Sequence, residues 1–185
     1  MATNRPISDF SALVVNGAYK IKWTSGKAAL TISTDQNLLP LIQTSISGNT
    51  LEIDQEQSLR PTKGITISLS SASLAEVRLN GAVNLSASSL AGHDLKLECN
   101  GASSINVDGS VTNFQVNLSG ASKLNAESLR TQTANVSLNG ASYADVAVSD
   151  SLDASISGAG LLTYSGNPKS VEKNISGAGR IQARR

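Results

Sequence analysis

The sequence predicts an all-β protein that stacks coils of about 19 residues into a β-solenoid. Three observations carry that expectation. A triplet of Asn or Ser, then Gly, then Ala recurs in register. Aliphatic residues alternate with polar ones on both sides of it. Aromatic residues, the usual filling of a globular core, make up only 3% of the chain, which suits a narrow interior tiled by small and medium side chains.

The triplet stands at Asn80-Gly81-Ala82, Asn100-Gly101-Ala102, Ser119-Gly120-Ala121, Asn139-Gly140-Ala141, Ser157-Gly158-Ala159 and Ser176-Gly177-Ala178, with the glycines 20, 19, 20, 18 and 19 residues apart. A seventh copy, Asn16-Gly17-Ala18, stands alone near the start. Gly81, Gly101, Gly120, Gly140, Gly158 and Gly177 are therefore the predicted structural corners, where the chain needs positive φ or a close backbone approach. Asn and Ser can hydrogen-bond such a turn, and the alanine is expected to point inward.

The flanks repeat with the corner. Two residues before each glycine come Leu79, Cys99, Leu118, Leu138, Ile156 and Ile175; four before come Val77, Leu97, Val116, Val136, Ala154 and Lys173. Four after come Leu85, Ile105, Leu124, Ala144, Leu162 and Ile181. Polar residues sit between, which is the period-two signature of half-buried strands. Polar stretches such as Ser88–Asp94 and Asp108–Asn113 are read as connections that close each coil. One coil orders its residues at about 1.5 kcal/mol each, and its few aliphatic side chains recover only about 1.5–3 kcal/mol apiece. Coils must therefore stack, pairing every strand above and below and turning equivalent positions into ladders.

Residues 76–185 hold the regular repeats, whereas residues 1–75 lack a clean register. The alternation of Tyr19, Ile21 and Trp23 with Lys20, Lys22 and Thr24 still reads as a strand, as do Leu30–Ile32, Leu51–Ile53 and Ile65–Leu69. Pro40 marks a short turn or edge piece, and Gln55–Lys63 a polar loop. The 64 residues from Gly17 to Gly81 leave room for about three longer coils. No linker divides the chain near residue 75, so residues 1–185 read as a single domain, with a separate small N-terminal β-domain as the alternative.

Fifteen Lys and Arg against fourteen Asp and Glu give a net charge of +1, and no Lys/Arg run suggests a basic face for nucleic acid or an anionic membrane. The nearest is Arg180, Arg184 and Arg185, read as a solvated tail. No apolar stretch is long enough to span a membrane, and Met1–Pro6 lacks the apolar core of a secretory signal.

In order along the chain, Ser8–Gly17, a strand, Asp35–Leu39, Gly48–Ile53 and the (Asn/Ser)-Gly-Ala coils resemble the DUF2807 family, the auto-transporter adhesin "head GIN" domain. The resemblance runs from about Arg5 to Gln182. It implies a right-handed parallel β-helix in bacterial cell-envelope proteins, exported behind a signal peptide. An envelope location, periplasmic or extracellular, thus rests on the export signal having been removed. It brings no catalytic residues.

The residues themselves offer no catalytic centre. His93 is the single histidine and lies in a polar connection, which excludes a His-based triad or a multi-His metal site. The single cysteine, Cys99, falls in the inward column as a small buried hydrophobe without a basic activator. No phosphate-binding glycine motif, calcium nonapeptide or Thr-x-Thr ice-binding row occurs, so no cofactor or metal is expected. Four Asn-x-Ser sequons, at Asn84, Asn117, Asn135 and Asn174, follow from the repeat. Asp108, Asp145, Asp150 and Asp153 read as turn or outward residues spread over different coils, a poor basis for a paired-carboxylate glycosidase. The leading expectation is a non-enzymatic surface module binding a glycan or protein partner, with Tyr143 a candidate contact. The alternatives are a polysaccharide lyase or hydrolase and a purely structural, homo-oligomer-forming unit.

Overall fold

The computed structural model describes residues 2–55, 59, 61–62 and 64–184. The polar loop expected over Gln55–Lys63 falls mostly outside the described residues. The strands are β1 (Ala2–Arg5), β2 (Ala12–Gly17), β3 (Lys20–Ser25), β4 (Ala29–Ser33), β5 (Ile42–Ser47), β6 (Thr50–Gln55), β7 (Thr66–Ser71), β8 (Glu76–Gly81), β9 (Asn84–Gly101), β10 (Ser104–Gly120), β11 (Lys123–Gly140), β12 (Tyr143–Gly158), β13 (Leu161–Ser165), β14 (Ser170–Gly177) and β15 (Arg180–Ala183). Together they form a parallel β-solenoid with antiparallel strands only at its N-terminal end.

The ladders follow the alternation. Val15, Leu79, Cys99, Leu118, Leu138 and Ile156 stack in one buried column. Ile21, Leu85, Ile105, Leu124, Ala144, Leu162 and Ile181 stack in another beyond the corner. The supposed polar connections are themselves strand. Gly109, Ser110 and Val111 pair with Leu90, Ala91 and Gly92 on one side and with Leu129, Arg130 and Thr131 on the other. They build a third laddered side, whose inward residues Leu90, Val111, Leu129 and Val148 are buried. Their polar neighbours point outward, which is why the stretch looked like a loop.

The corner alanines also differ from expectation. Ala82, Ala102, Ala121 and Ala141 are exposed, and each amide donates to the carbonyl of the corner glycine one rung below. The positive φ of the glycine turns the next residue outward and the one after it inward.

The N-terminal part is stacked out of chain order. β2 lies between β6 and β8, with Gly17 opposite Gly81, and β3 lies between β7 and β9. The lone Asn16-Gly17-Ala18 is thus a full member of the ladder. About three longer coils were expected in the gap to Gly81. Instead the chain lays down β2 and β3, builds an end cap, adds β6 and β7 on the outer side, and steps across to β8. In the cap, β5 pairs antiparallel with β6, β4 with β7, and β1 with β4. At Pro40 a 3₁₀ helix, Gln36–Leu41, joins the two sides and buries Leu38. The Arg5 guanidinium ties this cap together, donating to the carbonyls of Leu39 and Ile42 and to Thr44 Oγ1 at 2.7–2.9 Å.

Deleting residues 1–75 would strip β8 of β2 and the first half of β9 of β3, exposing two strand edges. The expected product is insoluble or self-associating protein, read by light scattering. A well-behaved monomer of residues 76–185 would show two independent units.

At the other end β14 pairs with β12 and β15 with β13, and Ile175 is 43% exposed. Lys173 occupies the aliphatic column on this last rung; no rung covers it, and its Nζ rests 5.0 Å from the centre of the Tyr164 ring.

Tyr19 is buried near the first corner, and its hydroxyl has no partner among the described residues. Burial, with a smaller contribution from the Asp54 carboxylate, pushes the phenol up to about 12 from 10.0. The folded state favours the neutral phenol, so this contribution is complete below about pH 10 and is lost as pH rises toward about 12. Tyr19→Phe is expected to remove that alkaline loss and to leave stability at pH 8 equal or higher, because it deletes an unsatisfied buried hydroxyl. Urea midpoints at pH 8 and pH 11 check both.

Candidate functional surface

The corner sets the shape of the surface. A Cβ built on Gly120 would lie 2.4 Å from the Gly101 carbonyl oxygen, so the backbones there approach too closely for any side chain. Just past the corner runs a buried serine ladder, Ser103, Ser122 and Ser142. Each hydroxyl accepts from an amide on the rung below, Val83, Ser103 and Ser122 respectively, and donates to the corner glycine carbonyl of that same lower rung, Gly81, Gly101 and Gly120. This satisfies the backbone where the turn breaks the regular ladder. Cys99 Sγ lies 3.2 Å from Ser122 Oγ in the same closed interior, a structural position as expected.

The corner separates two outward faces. The strands before it form a face crossed by a shallow groove of about 600 Å³ running along the stack. Its walls are two columns: Asp94, Asn113, Thr133 and Ser151, and Lys96, Gln115, Asn135 and Asp153. Adjacent rungs hydrogen-bond to each other: Asn113 donates to Asp94 at 2.7 Å, Thr133 to Asn113 at 2.7 Å, and Asn135 to Asp153 at 3.2 Å. Asn80 likewise donates to Asn16, and Asn100 to Asn80, along the corner. The groove is a pre-ordered row of amides and hydroxyls. This face carries Glu52, Asp54, Glu76, Asp94, Glu98, Asp153 and Glu172 against Arg78 and Lys96, and both cations are ion-paired with Glu76 and Glu98.

The strands after the corner carry Lys20, Lys22, Lys123, Arg180 and Arg184 against Asp108, Glu127 and Asp145. Tyr143 is half-buried on this face, its hydroxyl donating to Asp145 Oδ2 at 3.3 Å and Lys123 Nζ lying 5.7 Å from its ring centre. The near-zero net charge is thus divided into an acidic and a basic side.

Carboxylates come together only where a cation bridges them, Glu127 with Asp145 on Arg184 and Glu76 with Glu98 on Arg78 and Lys96, among the described residues. Asp108 accepts the Ser89 amide at 2.8 Å in a bend, and Asp150 pairs with Lys169 at 2.8 Å. Asp153 is exposed in the groove wall. Asp145 departs from expectation: its register is outward, but it is buried at 4% exposure. Arg184, expected as solvated tail, folds back and bridges Asp145 and Glu127. Asp94 and Asp153, the two acids of the groove, are three rungs apart, roughly 14 Å along the stack, beyond the roughly 5–10 Å of a catalytic pair. Asn113 and His93 beside Asp94 hold its carboxyl below the usual range. His93 is exposed on β9, 3.0 Å from Asp94. Among the described residues no group of three or more His, Cys, Asp or Glu is placed to hold a metal ion, and no helix is long and apolar enough to cross a membrane.

The comparisons with known proteins agree with this geometry. A family model described as "Putative auto-transporter adhesin, head GIN domain" (DUF2807) matches residues 9–168. No curated protein matches the sequence. Among solved structures, a "putative adhesin" from Bacteroides fragilis superposes with a TM-score of 0.74 at 20% identity, over 100% of this chain and 96% of that one. A "putative lipid binding protein" from Parabacteroides distasonis gives 0.57 at 21%, and a "putative adhesin" from Parabacteroides merdae gives 0.55 at 17%, each with the same coverage. At these identities the structures share the fold.

Proposed function

Since the chain belongs to the DUF2807 family of auto-transporter adhesin head domains, we propose that it is a non-enzymatic module of the bacterial cell surface or envelope that holds a glycan or protein partner against its laddered faces. One observation carries the reading. The polar side chains of the groove face are ordered by one another along the stack, as in Thr133 to Asn113 to Asp94. They are presented in a row and do not gather around a reacting centre. A row of donors and acceptors fixed before contact loses little rotamer freedom on binding, and it suits an extended ligand. Turnover needs the opposite arrangement, a few groups with opposed protonation converging on one bond.

Two of these structural neighbours are described as "putative adhesin", which supports the reading. The test is an immobilised array of glycans and extracellular-matrix proteins probed with the purified chain. Saturable binding to at least one class is expected. It should weaken when groove residues Asn113, Thr133 and Asn135, or the Tyr143 face, are substituted. Uniform absence of binding across the array would contradict the reading.

A further inference from the structure

Resting on the reading of this chain as a partner-binding module, we propose that the face after the corner binds an acidic polysaccharide laid along the stack. Strand pairing places Lys20, Asn84, Ser104, Lys123, Tyr143, Leu161 and Arg180 on successive rungs of one column. The cations therefore recur at every third rung, roughly 14 Å apart at the usual strand spacing. Lys22 adds a further charge beside Lys20.

These charges are uncompensated. Lys20, Lys22, Lys123 and Arg180 form no ion pair among the described residues, whereas Arg78 and Lys96 on the opposite face are held by Glu76 and Glu98. The three carboxylates on the basic side are engaged elsewhere. Asp108 accepts the Ser89 amide, and Arg184 bridges Glu127 and Asp145.

The column also offers a sugar more than charge. Between Lys123 and Arg180 stand half-buried Tyr143 and partly exposed Leu161. An aromatic ring beside an ammonium group can meet the C–H face of a uronic acid while the cation meets its carboxylate. Asn84 and Ser104 face the stretch between Lys20 and Lys123 with neutral hydrogen-bonding groups for hydroxyls. A straight, evenly charged array fits a linear polyanion. The seven carboxylates of the opposite face would repel the same polymer, so the chain would bind it on one side only.

The experiment measures binding to polygalacturonate, with dextran as the neutral counterpart, for wild type, the triple variant Lys20→Gln, Lys123→Gln, Arg180→Gln, and Lys169→Gln as a control in the connection before β14, away from both the groove and the basic column. Wild type should bind polygalacturonate in preference to dextran, and the preference should vanish in about 1 M salt, where charges are screened beyond about 3 Å. The triple variant should lose roughly tenfold in affinity while Lys169→Gln does not change. Equal affinity of wild type and triple variant for polygalacturonate, or a preference for dextran, overturns the proposal while leaving the wider binding reading in place. Absence of binding to either polymer overturns it as well, and array binding then decides the wider reading. If the protein alone self-associates and the triple variant abolishes this without affecting polygalacturonate, the face belongs to a second copy and the proposal is wrong.

Discussion

Gly120→Val is expected to cost 2 kcal/mol or more and to unfold a large fraction of the protein, read as a collapse of the thermal transition. Two separate effects act in the same direction. Gly120 has φ of 109°, a region a β-branched residue scarcely enters. A Cβ there would also lie 2.4 Å from the Gly101 carbonyl oxygen, and that obstacle is backbone, which cannot rotate away. That same carbonyl accepts the Ala121 amide and the Ser122 hydroxyl, so moving it breaks the corner on two rungs. Gly120→Ala should share most of the penalty. A Gly120→Val protein that melts like wild type would remove the ladder as the explanation of the triplet.

Leu118→Asp should unfold or aggregate the chain, whereas Asn117→Asp next to it should be nearly silent. Leu118 is 0% exposed between Cys99 and Leu138 on the neighbouring rungs. A carboxylate there has no cation within the column, and burying an unpaired charge costs several kcal/mol. Asn117 is exposed and accepts a hydrogen bond from Asn139 through its Oδ1, which an aspartate oxygen can replace. The comparison is made by circular dichroism and solubility of the two purified variants. Equal effects would refute the inward and outward assignment.

Much of this fold is legible in the sequence because period-two alternation and a fixed corner are local signals. Leu118 inside and Asn117 outside need no more than that. The features that escaped are those set by distant partners. Gly17 and Gly81 are neighbours in the stack, yet β3 to β7 intervene in the chain, so the sequence shows a solitary triplet. Asp145 stands in an outward column but is buried, with Tyr143 and the distant Arg184 both bonded to its carboxylate. Ser103, Ser122 and Ser142 look like ordinary polar turn residues; their recurrence two positions after Gly101, Gly120 and Gly140 was the available signal. The basic side is invisible as a run, since its cations come from β3, β11 and β15 and meet only through register.

The most direct test of the functional account is turnover on a wide panel of polysaccharides, measured as reducing-end release and as unsaturated-product absorbance in the same samples that show binding. The account predicts bound polymer of unchanged chain length and no signal in either assay, with or without chelator. Robust cleavage that disappears on Asp108→Asn or Asp145→Asn would contradict it and make this solenoid an enzyme.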